Sequence, residues 1–473
     1  MAPYNEDNFL IIQPGSYNTL FRLGLEESLS PPKYSIPTKV YRDPSNPNKF
    51  QSKSSDESLA IYPIVNGEIV DVAAFNFLLR LILRSLINAN PLMLTNNVAL
   101  LLVSSIRWSN LNIEYITKYV FETLQLTALQ IIPLPLASAF AHGSIPNCCV
   151  IDLGGDKFDV SPILNFQVIK GYSRTVPTGS STINKRLKQL LPNLNDSQIE
   201  NLKRSSIFES LSEEDAKNSF FGLEGIGLED DTKKNPEDDG ILDIAAIVTS
   251  EKSTKEILED VKGKKEKTSK QSEVKPNSVL ETNSFVTSDG TELTIGKERF
   301  QGCDELVRAL GDTVFECLSN IIDSTKRQEC YDNLILSGNT WKIKGLKESF
   351  LVYLLNTYGA KYPISSEAIK QKVSKRSKAD AVFRNETDAD SSNQRSEKLV
   401  QVPQHVKLVK FPEYFTEWKD IGHEDNSFLG AQIFAKQVFG HHHNHNSNNG
   451  GGTYLNKDDY LERGPLGIWD VVF

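Results

Sequence analysis

Cysteine is scarce, five in 473 residues, and two of the five are adjacent as Cys148-Cys149 with no Cys-x-x-Cys pair anywhere. That excludes a disulfide framework or a zinc site of that spacing, and a reducing intracellular compartment is expected. Long hydrophobic runs are missing too. The longest, Phe75 to Ile87, carries Arg80 and Arg84 and falls short of the ~20 apolar residues that a membrane span needs. Positive charge is not in excess: 52 Lys and Arg stand against 61 Asp and Glu, a net charge of −9. An acidic balance argues against a protein whose main task is coating nucleic acid or an anionic membrane. Asn5, Glu6 and Asp7 stand where a signal peptide would have a basic segment, so none is expected. A soluble intracellular protein with no membrane partner is expected.

What is present reads as mixed α/β. Phe9 to Gln13 and Thr19 to Leu25 are short apolar strands joined through Pro14-Gly15-Ser16, a turn by composition. After a polar, Pro-rich stretch from Ser28 to Ser58, apolar residues recur at helical spacing: Phe75, Leu78, Leu79, Ile82, Leu83 and Leu86. Val98 to Val103 is continuously apolar, the pattern of a strand buried on both faces. Ser109 is placed to cap a helix carrying Ile113, Ile116, Val120 and Leu124. A further strand and helix lead to a second strand–turn–strand unit, Cys148 to Leu153, then Gly154 and Gly155, then Phe158 to Leu164. Two such units with helices between them predict two related α/β halves rather than one sheet.

Three segments interrupt this pattern. Gly222 to about Phe285 is first acidic and then mixed Lys/Glu, and reads as a disordered insertion with one apolar island, Ile241 to Val248. Ser365 to about Lys398 is polar and basic at Lys370, Lys372, Lys375, Arg376 and Lys378. It is either a flexible loop or a nuclear-import or nucleic-acid contact. His441 to Gly452 holds four histidines; without fixed geometry they make a loose metal site at best, so no metal is expected.

Several segments carry a family likeness. They are Thr294-Ile295-Gly296-Lys297-Glu298-Arg299-Phe300; Asp152-Leu153-Gly154-Gly155-Asp156 followed by Pro162-Ile163; Ser337-Gly338-Asn339-Thr340 with Gly345-Leu346; Phe428-Leu429-Gly430-Ala431; and Tyr460 with Gly464-Pro465 and terminal Phe473. Taken in their order along the chain, they resemble the actin family. There, in the order named above, the first opens a helix facing the nucleotide, the second is a phosphate hairpin, the third is the adenosine loop, and the fourth opens the penultimate helix. Phe411-Pro412-Glu413-Tyr414-Phe415-Thr416-Glu417-Trp418-Lys419 resembles the divergent fungal nuclear actin-related proteins of SWI/SNF-type and RSC-type chromatin-remodelling complexes. The resemblance implies an actin fold, two related α/β domains around a nucleotide cleft. Residues 1–146 with 399–473 would form one domain and 147–398 the other, with insertions near 222–285 and 365–398.

In that family glycine-bearing hairpins let backbone N–H groups converge on phosphate, and a carboxylate holds Mg²⁺ through water. Set beside that pattern, the implied cleft, Gly15, Ser16, Asp152, Gly154, Gly155, Gly338 and Asn339, is degenerate. Gln13 replaces an Asp, Pro14 lacks a donor, and Tyr17 puts a ring where backbone approaches phosphate. Gly155 stands where a second Asp orders the metal, Asp156 replaces a Gly, and Asn339 replaces a Gly of the adenosine loop. Arg22 is the candidate for the family's phosphate lysine. Pro135 or a neighbour stands at the water-positioning glutamine, and Asp159 at a histidine. Each lost charged partner costs about 1.5–3 kcal/mol, and two or three such losses weaken a nucleotide site by on the order of 10³-fold or more. No catalytic residue and no cofactor are expected, with weak ATP binding left open. The resemblance further implies a nuclear, non-enzymatic subunit paired as a heterodimer with a second actin-related protein, of the seven type. Together they would bind the helicase/SANT-associated helix of the remodelling ATPase and meet chromatin indirectly. Leu429, Ile433 and Phe434, opposed by Ala141 and Ser144, would line the groove for that helix, or else pack inside the domain. Two other readings stay open: a working actin-type ATPase with Asp152 and Asp156 on the cation, and a sugar kinase or heat-shock-type chaperone.

Overall fold

The computed structural model describes residues 4–25, 29–91, 93–210, 276–359, 402–412, 414–415, 417–418, 425–440 and 452–471. The basic insertion, the Ile241 to Val248 island, the histidine run and Phe473 lie outside them.

In chain order the first elements are β1 (Phe9–Pro14), β2 (Asn18–Leu23), β3 (Tyr34–Pro37), β4 (Val40–Asp43), β5 (Asn46–Gln51), β6 (Ala60–Ile61), β7 (Ile64–Val65) and β8 (Glu68–Ile69). Then come α1 (Val72–Ala89), β9 (Ala99–Ser104), α2 (Asn110–Glu122), β10 (Ala128–Pro133) and α3 (Leu134–Ala141). A second series runs β11 (Cys148–Leu153), β12 (Phe158–Leu164), β13 (Gln167–Val168), β14 (Arg174–Val176), α4 (Ser180–Leu190) and α5 (Asp196–Arg204). After it come β15 (Asn283–Val286), β16 (Glu292–Ile295), α6 (Asp304–Ser319), α7 (Ser324–Asp332), β17 (Leu334–Ser337) and α8 (Leu346–Tyr358). The last are α9 (Asn426–Gly440), β18 (Leu455–Asn456) and α10 (Lys457–Arg463).

Helix starts are set by local chemistry. Asp71 accepts from the Ala74 N–H to cap α1, and Ser109 accepts from the Asn112 N–H at 3.2 Å to cap α2, as its position predicts. By length and composition α1 would suffice to cross a membrane, yet Phe75, Leu78, Leu79, Ile82 and Leu83 are buried in the protein's own core. The polar stretch that follows β2 also forms strands. Here β3 joins the edge of a sheet, while β4, β5 and β6 make a small one of their own. The turn after β4 is built by Asp43, whose carboxylate accepts from the Ser45 N–H at 2.9 Å.

Two large sheets organise the fold. One has the order β18-β10-β9-β1-β2-β3, with β9 parallel to both β1 and β10 and the β1–β2 hairpin antiparallel. The other has the order β13-β12-β11-β17, with β14 also on β12, the β11–β12 hairpin antiparallel and β17 parallel to β11. Period-two alternation sorts the first sheet's side chains onto two faces. Leu10, Ile12, Leu100 and Leu102 pack with α1 and α2, while Phe9, Ile11, Leu101 and Val103 pack with α3 and α9. Both faces are covered, which is why Val98 to Val103 is apolar throughout.

The chain divides into two compact units. One comprises Met1–Ile183, Glu305–Lys342 and Tyr353–Phe473; the other comprises Asn184–Asp304 and Ile343–Val352. Both large sheets belong to the first, so the boundary expected after residue 146 runs between sheets of one unit. The second unit carries the β15–β16 hairpin and the Thr294 to Phe300 segment. That segment does not open a helix: Lys297–Phe300 is a single 3₁₀ turn. Arg299, fully buried, holds the turn by donating to the carbonyls of Asn277, Leu280 and Gly296 and to the Asn277 side chain.

Candidate functional site

The β1–β2 and β11–β12 hairpins close in the same way. The Gly15 N–H donates to the Asn18 carbonyl and the Gly154 N–H to the Lys157 carbonyl, each at 2.9 Å. Each large sheet thus presents one four-residue turn opened by glycine, and the two turns border a single cavity of about 230 Å³. Of the residues singled out from sequence, Gly15, Ser16, Asp152, Gly154 and Gly155 line it; Gly338 and Asn339 are absent from its lining. Gly338 has a different task. At φ +101° it turns the chain out of β17 against the Leu153 backbone, where a Cβ has no room, and this tucks the Asn339–Lys342 3₁₀ turn under β11. Trp341 then anchors that turn, fully buried, with its indole donating to the Ile151 carbonyl at 3.4 Å.

Side chains of the two turns pair with one another across and beside this cavity. The Tyr17 hydroxyl donates to the Asp156 carboxylate, and its ring lies over Gly155, where an added Cβ would meet Cε2 at 3.0 Å. Lys157 pairs with Asp159, which also accepts from Thr175 Oγ1. Both members of the ion pair are largely buried, at 13% and 8% side-chain exposure, so its strength is not lost to solvent. Ser16 Oγ accepts from the Gly67 N–H at 3.1 Å and so ties the β7–β8 turn to the first hairpin. Lys157 was missed from sequence; its signal was a lysine between Asp156 and Asp159 at the mouth of an otherwise apolar strand.

Electrostatically the cavity is acidic. Asp152, Asp156 and Asp159 line it, with Lys157 as the lysine among them. Burial pushes the Asp152 carboxyl above the usual carboxylate range, against the pull of Lys157 and a hydrogen bond from Ser337. Tyr17 is pushed up to about 12, first by its hydrogen bond to Asp156 and then by burial. Gln13 is occupied elsewhere, its Oε1 accepting from Ser427 Oγ of α9 at 3.0 Å. Arg22 does not serve the cavity. It is buried and donates to the carbonyls of Gly24, Ser30 and Pro31. Pro135 does line the cavity, with no group to orient water. No cluster of three or more His, Cys, Asp or Glu suited to a metal occurs among the described residues.

Of the two placements open for the α3–α9 residues, packing inside the domain holds for three of the five. Leu429 and Ala141 are buried, Phe434 is 4% exposed, and all three pack in the core shared by α3, α9 and the first sheet. Gly430 lets the helices come so close that a Cβ would overlap the Ala137 carbonyl. Only Ile433 and Ser144 of the five keep partial exposure. Phe140 meets Phe434 at 5.0 Å between centroids, and Phe411, beside Phe415, meets His142 at 5.6 Å. Trp418 closes the segment, fully buried, its indole donating to the Leu29 carbonyl at 2.7 Å.

The family model described as Actin matches residues 4–379. The chain is also 24% identical, over 550 aligned positions covering 99% of both chains, to a Schizosaccharomyces pombe (strain 972 / ATCC 24843) protein named "SWI/SNF and RSC complexes subunit arp9". A family match across most of its length, on a molecule that sets two glycine-opened hairpins around one cavity, means that the chain belongs to the actin family.

Proposed function

We propose that this chain is a non-catalytic actin-related subunit of a chromatin-remodelling complex of SWI/SNF or RSC type, acting in the nucleus. The end-to-end likeness to a relative carrying that name supports the complex. The observation that carries the non-catalytic part is the Tyr17–Asp156 and Lys157–Asp159 pairing inside the cavity.

Mg·ATP, which the family implies, does not fit these residues. The cavity, about 230 Å³, is smaller than the ~300–1,000 Å³ usual for small-molecule sites. Asp156 points a carboxylate at the space a phosphate needs, the charge of Lys157 is spent on Asp159, and Pro14 has no N–H to offer. Of Asp152, Gly154 and Gly338, which keep the family pattern, the first two line the cavity and Gly338 does not. No step of ATP hydrolysis is assigned to this chain.

Its work in the complex is then docking. The partners we propose are a second actin-related protein, as heterodimer, and an amphipathic helix of the remodelling motor, laid on the α3–α9 surface. Ile433 and Ser144 sit at that surface beside the partly buried Phe140, Phe411 and Phe415, while Leu429, Phe434 and Ala141 support it from within. Affinity purification of the tagged full-length chain from its source cells tests this reading. A remodelling motor and a second actin relative are expected to co-purify, and loss of both partners contradicts it. Purified protein is expected to hydrolyse no ATP above background; turnover abolished by Asp152→Ala would restore the ATPase reading.

A further inference from the structure

The two glycine turns are joined by groups that belong to the chain. In a phosphate-binding site, N–H groups from facing turns converge on one anion, and the anion itself is the bridge between them. Here the junction has a different chemistry. Tyr17 leaves the first turn, lays its ring over Gly155 and donates its hydroxyl to Asp156 of the second. Tyr17 is still 58% exposed. Its orientation therefore owes little to burial, and the hydrogen bond and ring contact are what hold it across the gap. A second tie runs alongside. Ser16 accepts from the Gly67 N–H, and the Lys157 side chain passes 2.7 Å from where a Gly67 Cβ would stand. Three turns, at residues 15–18, 66–67 and 154–157, meet through contacts that each involve a side chain.

We propose that Tyr17 is an intramolecular clamp that takes over the mechanical role of a bridging anion, holding the β1–β2 turn to the β11–β12 turn. The two halves of the clamp are complementary. An anion between the turns requires donors on both sides, whereas a donor from one turn requires an acceptor on the other, and Asp156 supplies that acceptor where its charge repels phosphate. Glycine at 155 gives the ring a flat seat, since any side chain there meets it. This proposal rests on the reading of the cavity as one that takes no nucleotide, and the two are separable by experiment.

The test is amide hydrogen exchange on the full-length chain, read at peptides covering the two turns, with strand β9 as internal reference. Tyr17→Phe keeps the ring and removes the hydroxyl; Tyr17→Ala removes both; Asp156→Ala removes the acceptor from the opposite side. Loss of one hydrogen bond to a charged group corresponds to roughly 10- to 100-fold in the local opening equilibrium. Exchange at both turns is expected to quicken by that order in Tyr17→Phe and Asp156→Ala and further in Tyr17→Ala, with β9 unchanged. The Tyr17→Phe/Asp156→Ala double variant should open no further than either single one. Wild-type rates at both turns in all variants overturn the clamp and leave the non-catalytic reading standing. Mg·ATP slowing exchange at both turns of the wild-type protein overturns the reading of the cavity, and with it the claim that Tyr17 replaces an anion.

Discussion

At the scale of single residues, the cavity is governed by two ionisable groups shifted in the same direction for different reasons. Tyr17 is pushed up to about 12 chiefly because its proton is shared with the Asp156 carboxylate. A folded-state value above the unfolded one means that its stabilising contribution is complete below the ordinary phenol value of ~10 and is lost as pH rises through about 12. The tyrosinate absorbance difference between wild type and Tyr17→Phe should titrate near the upper value; titration at the ordinary one contradicts the bond. Asp152 is raised by burial, so the fold favours its neutral acid. Its contribution is fully present below the ordinary Asp value of ~3.9 and is lost as pH rises through the raised folded value. Asp152→Asn, which keeps a partner for Ser337, is therefore expected to raise the melting temperature at neutral pH, with the gain vanishing in acid. A cation-holding aspartate would give the opposite sign.

At the scale of elements, close helix packing decides a case where propensity alone points the wrong way. Replacing a helical glycine by alanine gains about 1 kcal/mol of intrinsic propensity. At Gly430 the new methyl would overlap the Ala137 carbonyl of α3, and such overpacking costs ~1–3 kcal/mol or more. Gly430→Ala should therefore lower the denaturant midpoint; an unchanged or raised midpoint would mean that α3 and α9 separate easily. Elements whose pattern reflects a single environment were legible in the sequence. The spacing of Phe75 to Leu86 gives α1, the apolar runs give β9 and β11, and Ser109 marks the start of α2. Strands β3 to β5 were not legible, because they are short, bury few apolar residues and lie in a Pro- and Asn-containing stretch, with β3 and β5 at sheet edges. The partly exposed face of α9 was illegible for the converse reason. Residues on nearly every side of that helix are buried, so the spacing of Leu429, Ile433 and Phe434 could not reveal an outward face.

At the scale of the whole molecule, the family pattern and the two hairpin-bearing sheets were readable because glycines, turns and apolar strands are local signals. The contents of the cavity were only half readable. The departures at Gln13, Pro14, Tyr17, Gly155 and Asp156 stood out against the family pattern, but the pairing of Tyr17 with Asp156 joins residues that only tertiary structure brings together. If the facing turns are bridged by the chain's own side chains and take no nucleotide, thermal unfolding of the purified full-length protein with and without Mg·ATP reads it out. A ligand bound to the native state at ~1,000 times its Kd stabilises it by about 4.1 kcal/mol, enough to move a melting temperature by several degrees. No shift is expected at ~1 mM Mg·ATP, and a saturable rise of several degrees, as micromolar affinity would produce, would show that the cavity takes the nucleotide.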